Sequence, residues 1–382
     1  MVEIQGSIDT KVHGRMRDMM QKSEFDAVVL SQRENVLYLA GVRNLSHDHI
    51  PSRHHYVIWP REGKPTYICI GSEAGISRLE SPIADIRTYR EFSESAEDLV
   101  VKVLKEKGLD GKHIGMEFRG ITKEMYEQIT RQLPSNRIEG CDDFMYRVRA
   151  IKTKEEVALM RYATEATERA IRTAFSAARE GDTERSIHNA MAKALIDAGC
   201  ENVAWLTLAA GKNAQVVHPK ASSSYRVARG DIIWVDVGAW FGGYLSDIGR
   251  VAVVGAASER QKLCYGKLMR TQDKVISSVR PGRTFKQLYF TIVEGLKDGE
   301  PKVDLPSFPH FGHLLGIGLH EEPMITATAD QPLESGMVLC IEPCFVDSNG
   351  DIYHDEELVA VTESGYDLIT PRHHWKDLYV IQ

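Results

Sequence analysis

Residues 153–178 carry many Ala, Glu and Arg, with apolar residues close to a helical period and neither Gly nor Pro to interrupt them. One long helix is expected there. A second should follow Glu180-Gly181-Asp182-Thr183, where Thr183 suits the N-cap and acidic Glu184 the first turn. Beyond residue 200 the pattern changes to short apolar runs of strand length at 203–209, 232–239 and 248–254. Two helical stretches, 259–278 and 285–296, come next, and then strand-like runs at 338–341 and 358–362. Helices gathered in some stretches and strands in others indicate an α+β fold rather than a doubly wound one.

The first 150 residues alternate more evenly. Val12, Met16, Met19 and Met20 fall at helical spacing, and Ala27–Leu30 is an apolar run of buried-strand type. Tyr56-Val57-Ile58-Trp59 and Thr66–Ile70 flank the turn Pro60-Arg61-Glu62-Gly63, which predicts a hairpin. Stretches 95–105 and 121–133 read as helices with a strand, His113–Met116, between them. This is a smaller α/β domain. The texture changes around 147–154, so the expected domains are 1–149 and 150–382.

Composition narrows the classes. The length of 382 residues exceeds what one core sustains, about 250–300 residues, and supports two domains. Asp and Glu (54) outnumber Lys and Arg (47), a formal charge of −7, which offers no electrostatic footprint for nucleic acid or an anionic membrane. No run approaches the ~20 apolar residues needed to span a bilayer. The six scattered cysteines form no C-x-x-C pair and read as buried thiols of a reducing compartment. A charged, non-apolar N-terminus shows no secretory signal, so a cytoplasmic protein is expected. The 14 histidines are clustered.

Candidate chemistry lies in acidic residues framed by apolar runs. Asp236 closes Ile232-Ile233-Trp234-Val235, and Asp247 follows across a glycine-rich segment. A hairpin would set the two carboxylates opposite each other, and a metal ion would offset the cost of burying them. The alternative is that Asp247 opens a turn and Asp236 pairs with an Arg. His313 and His320 stand among glycines and aliphatics in residues 310–323. Glu342 directly follows Val338–Ile341 and needs a partner; Glu356, flanked by Asp355 and Glu357, fits either a metal site or a solvated acidic turn. Oxygen-rich ligation with a single imidazole suits Mn²⁺, Co²⁺, Fe²⁺ or Zn²⁺ and excludes a thiolate-type structural zinc.

The order Asp, Asp, His, Glu, Glu in VDVGAWFGGYLSDIGR, GHLLGIGLHEEP, GMVLCIEP and DEELVAVTESG resembles the pita-bread metallopeptidases, which include prolidase and aminopeptidase P, together with creatinase. Residues 149–156 are similar to the stretch that opens the catalytic domain in prolidase-like members. The resemblance implies a pita-bread catalytic domain preceded by a creatinase/prolidase-like N-terminal domain. It implies a pair of divalent ions, Mn²⁺ first and Co²⁺, Zn²⁺ or Fe²⁺ as alternates, sharing a bridging hydroxide. Asp236 would chelate the first ion, Asp247 and Glu356 would bridge, and His313 and Glu342 would hold the second. Glu342 would also act as general base, His218 would donate to the substrate, and His320 would stabilise the tetrahedral intermediate. The activity implied is hydrolysis of a small peptide or amide, at an Xaa-Pro bond, by a homodimer.

Two positions depart from the proline-specific pattern. His354 stands where those members carry an Arg, and Pro309 where they carry a His, with His310 one step later. These changes keep a creatinase-like or other small-metabolite C–N hydrolase or lyase in view. The intact ligand set argues against a non-catalytic binding module. The densest histidine cluster, His47, His49, His54 and His55, lacks apolar framing and reads as a polar loop that could shape a substrate pocket.

Overall fold

The protein is described by a computed structural model covering residues 2–50, 52–217, 219–305, 310–372 and 375–382. It divides into two compact units, Met1–Arg149 and Ala150–Gln382.

The first unit is built on a six-stranded mixed sheet in the order Asp85–Tyr89, Thr66–Ile70, Tyr56–Pro60, Ala27–Leu30, His113–Met116, Arg137–Gly140. The expected hairpin is present, with Tyr56 opposite Ile68 and Ile58 opposite Thr66. Val29, Ile58, Ile68 and Ile114 from the sheet pack against Val100, Leu104 and Ile129 from the helices Ala96–Glu106 and Lys123–Gln132. The hydroxyls of Ser95 and Thr122 accept from the first-turn amides of these helices and fix where they start.

The histidine cluster is not a solvated polar loop. Leu45–His49 forms a short helix, and His55 is fully buried. Its Nε2 lies 3.2 Å from Glu73 Oε2, and its ring stacks on His47 at 4.7 Å. His54 Nδ1 is 2.7 Å from Glu97 Oε1. Buried imidazoles need partners, and here the Tyr67 hydroxyl, 2.9 Å from His55 Nδ1, and the Glu97 carboxylate supply them from other segments, which local composition does not reveal.

In the second unit the strand Ile232–Phe241 is central. It pairs antiparallel with Asn202–Ala210 on one side and Ile248–Val254 on the other. Side chains alternate across a strand, so its two faces serve two cores. Ile233, Val235, Val237 and Ala239 pack on Ala163, Ala170, Phe175, Ile187 and Met191 of the helices Lys154–Ala177 and Glu184–Asp197. Ile232 and Trp234 face Leu268, Leu288 and Ile292 of the helices Glu259–Ile276 and Phe285–Lys297. That second core also takes Leu339 and Ile341 from a four-stranded sheet, Gly312–Leu314, Val338–Ile341, Glu357–Val361 and Tyr366–Leu368.

Candidate metal centre

Alternation along Ile232–Phe241 puts Asp236 on the Trp234 face. The return strand is set by Gly242-Gly243, both at positive φ (58° and 78°), the geometry of a tight two-residue hairpin turn. The pairing differs in register from the expected one. Gly249 lies directly opposite Asp236, and Asp247 is two residues earlier, a diagonal neighbour in sequence position on the Gly249 side. A hydrophobic strand cannot pair Asp with Asp without forcing two like charges together, and the glycine relieves that. A Cβ at 249 would sit 2.8 Å from Glu356 Cγ, so this glycine is also what lets Glu356 lie over the strand.

The four-stranded sheet supplies the rest. His313 is directly opposite Cys340, and Glu342 lies two residues further along. Leu358 is opposite Cys340 on the other side, and Glu356 lies two residues before it. Register and alternation thus bring His313, Glu342 and Glu356 to one face. Asp236, Asp247 and Glu356 converge, as do Glu342, His354 and Glu356, each set with one ligand atom per residue within 4.8 Å of the others. His313 Nε2 lies 3.4 Å from Asp247 Oδ2 and 3.7 Å from Glu342 Oε1. Its Nδ1–H donates to the Leu314 carbonyl at 3.0 Å, which leaves Nε2 as the lone-pair atom facing the cluster.

All five expected ligands are buried, none more than 8% exposed. Burial and then the charge of Glu356 push the Asp236 carboxyl up to about 7, and burial and then Asp247 push Glu356 up to about 8. Asp247 is raised well above the carboxylate range by burial and by Asp236. For Glu342 burial acts upward too, but the imidazoles of His310, His354 and His313 outweigh it and hold it low. Buried Glu342 Oε1, Glu356 Oε2 and His354 Nε2 make no hydrogen bond. Four crowded carboxylates, one imidazole lone pair and orphaned polar atoms fit divalent cations of the borderline class. Cys340 does not compete as a thiolate, because burial and the neighbouring carboxylates push its thiol well up.

The centre floors a cavity of about 540 Å³ walled by Trp205, Thr207, Val217, Trp234, Leu319 and Ile352. His320 lines it as well, its ring 4.6 Å from His313 and 5.8 Å from His310. His218 lies outside the described residues. Glu321, beside His320, accepts from Lys152 Nζ at 2.9 Å and from the Gly318 amide at 3.1 Å, which ties the loop down. Of the acidic triplet, Glu356 alone faces the cluster. Asp355 and Glu357 are fully buried against Arg250, at 3.2 and 3.4 Å, so the solvated-turn alternative is excluded.

Four residues enter the site besides the expected ligands: His310 and His354, which mark the sequence's departures from the proline-specific pattern, and Trp205 and Gly249, which the sequence did not single out. His310 Nδ1 is 3.3 Å from Glu342 Oε1. His354 Nε2 is 3.4 Å from Glu342 Oε2 and 3.1 Å from Glu356 Oε1. Trp205 donates its indole N–H to Asp236 Oδ1 at 2.5 Å, where an Arg partner had been the alternative, and its ring occupies the space a Cβ at Gly238 would take. Gly249 is the fourth. The two-residue spacing of His354 and Glu356 is legible in the sequence, whereas Trp205 and Gly249 carry no such signal.

The profile of metallopeptidase family M24 matches residues 158–363, and that of the creatinase/prolidase N-terminal domain matches residues 13–151. The Xaa-Pro dipeptidase of Pyrococcus furiosus is 27% identical over 353 residues, 92% of this chain and 95% of that one. The crystal structure of an X-Pro aminopeptidase from Thermotoga maritima superposes with a TM-score of 0.82 at 23% identity, covering 95% of this chain and 100% of that one. The prolidase structure from Pyrococcus furiosus gives 0.79 at 26% identity, covering 93% and 99%. The two-domain α+β architecture is therefore that of the prolidases.

Proposed function

This chain belongs to metallopeptidase family M24, and we propose that it is a dinuclear hydrolase of small peptides acting at Xaa-Pro bonds. The observation that carries the reading is the convergence of Asp236, Asp247, His313, Glu342 and Glu356 on the floor of one cavity. In this reading Asp236 would hold the first ion, His313 and Glu342 would hold the second, and Asp247 and Glu356 would serve both. When bound, the ions supply an activated water at neutral pH and an electrophile for the scissile carbonyl.

The chain's own residues do the remainder. Glu342, held ionised by the imidazoles around it, takes the water's proton and passes it to the leaving amine. His320 on its tied loop, with His218, donates to the substrate, where a fixed donor is most effective as charge builds on the carbonyl oxygen. The indole of Trp205 fixes Asp236. Mn²⁺ is the first candidate ion, and a cytoplasmic homodimer the expected form. Six free cysteines, five of them buried, support a reducing compartment. Among the described residues no helix is long and apolar enough to cross a membrane.

A second reading, creatinase-like cleavage of a small C–N substrate, is favoured by His354, which stands against Glu342 and Glu356 where proline-specific members carry an Arg. Assay of the Mn²⁺-supplemented protein on Xaa-Pro dipeptides, longer Xaa-Pro peptides and creatine-type amides decides between them. Turnover of Xaa-Pro substrates is expected, and turnover confined to the amides would replace the first reading with the second. Glu342→Gln is expected to lower kcat on the best substrate by at least ~10³-fold, from loss of both base and ligand.

A further inference from the structure

We propose that His354 is a metal ligand, so that the ion held by Glu342 and Glu356 takes a second imidazole in addition to His313. The inference rests on the dinuclear reading above and extends it to a residue outside the expected five.

The geometry around His354 matches that around His313. His354 Nε2 lies 3.1 Å from Glu356 Oε1 and 3.4 Å from Glu342 Oε2, yet it hydrogen-bonds to neither. Two carboxylate oxygens at that range without N–H alignment are what a shared ion produces. Neighbouring ligand atoms ~2.1 Å from one cation lie about 3.0 Å apart in octahedral and about 3.4 Å apart in tetrahedral arrangement. His313 and His310 address Glu342 at Oε1, at 3.7 and 3.3 Å, and His354 is the imidazole at Oε2. Glu342, His354 and Glu356 are all buried, with ligand atoms close enough to converge on one point.

The fold holds the ring there. His354 ends the strand Ile352–His354, opposite Cys344, and the indole of Trp234 meets its ring edge-on with centroids 6.2 Å apart. An arginine at this position could only pair with the carboxylates, since a guanidinium has no lone pair to give. A histidine can bind the ion itself. A second nitrogen shifts this position's preference from Mn²⁺ towards Co²⁺ or Zn²⁺.

The test is proton NMR of the full-length protein stripped with chelator and reloaded with Co²⁺, together with cobalt titration. Each imidazole ligated through Nε2 contributes one exchangeable, paramagnetically shifted Nδ1–H resonance. Two are expected, one vanishing in His313→Gln and the other in His354→Gln, with cobalt bound at least ~10-fold more weakly by the latter. A single resonance that survives in His354→Gln would mean that His354 only pairs with the carboxylates; the proposal falls while the metal centre stands. If the wild type binds no cobalt, the dinuclear reading falls and takes the proposal with it. Should His354→Gln not fold, His354→Arg restores a cation beside Glu342 and Glu356 and is read in the same way.

Discussion

Gly249 shows how a residue with no side chain shapes the centre. It faces Asp236 across the hairpin and leaves the space that Glu356 fills, and the Glu356 amide donates to its carbonyl at 3.2 Å. Gly249→Ala brings a methyl to 2.8 Å from Glu356 Cγ, and buried strand backbone on both sides leaves little room to yield. We expect at least ~10-fold weaker metal binding with the fold retained, measured by metal titration and circular dichroism. Unchanged affinity would show that Glu356 is not held by this contact. Asp236 and Glu342 could be read in advance because each closes an apolar run that could not leave it solvated, whereas Asp247, His313 and Glu356 needed the family resemblance as well. Gly249 and Trp205 could not be read at all, because their roles depend on register and on neighbours from other segments. Trp205 and Asp236 are 31 residues apart and meet only when the sheet forms.

At the scale of elements, legibility follows burial. Strands with continuous apolar runs, such as Ile232–Phe241 and Ile248–Val254, declare themselves, and so do helices with a Thr or Ser cap followed by an amphipathic stretch. The strands Asp85–Tyr89 and Arg137–Gly140 sit at the two edges of their sheet, partly exposed and polar, and carry no such pattern. The start of helix Arg33–Ala40 is held by Glu117, which accepts from the Ser31 and Gln32 amides across 86 and 85 residues of chain. The 316–321 loop depends on a distant partner as well, since Glu321 is buried with Lys152, their side chains 2% and 1% exposed. Removing one member of such a pair strands a charge in an apolar setting. Lys152→Met should therefore cost about 3–5 kcal/mol in a denaturant melt. The double variant Lys152→Met/Glu321→Gln, which keeps an acceptor for the Gly318 amide, should recover most of that loss. A double variant no more stable than the single one would mean that Lys152 contributes packing rather than charge balance.

For the whole molecule, the net charge of −7 is less informative than where the acidic residues lie. Four carboxylates share the floor of one cavity, and without bound cations three of them, Asp236, Asp247 and Glu356, keep protons that they would lose in an unfolded chain, while Glu342 stays ionised. Asp236 titrates near 7 rather than 3.8, and Glu356 near 8 rather than 4.5, burial being the first cause in both. Between about pH 4 and pH 8 the folded, metal-stripped protein thus binds more protons than the unfolded one. Its stability must fall as pH rises through that window. Bound cations replace those protons, so the loaded protein escapes the loss, and metal affinity itself rises over the same range. The gap in Tm between Mn²⁺-loaded and chelator-stripped protein is therefore expected to widen steadily from pH 5 to pH 8. Titrations elsewhere, such as Glu97 with its pKa held near 2 by hydrogen bonds that outweigh burial, are common to both forms and cancel in the difference. Scanning calorimetry of both forms at half-unit pH steps measures the gap, and parallel Tm curves would show that the cluster does not carry the charge that its burial and crowding imply.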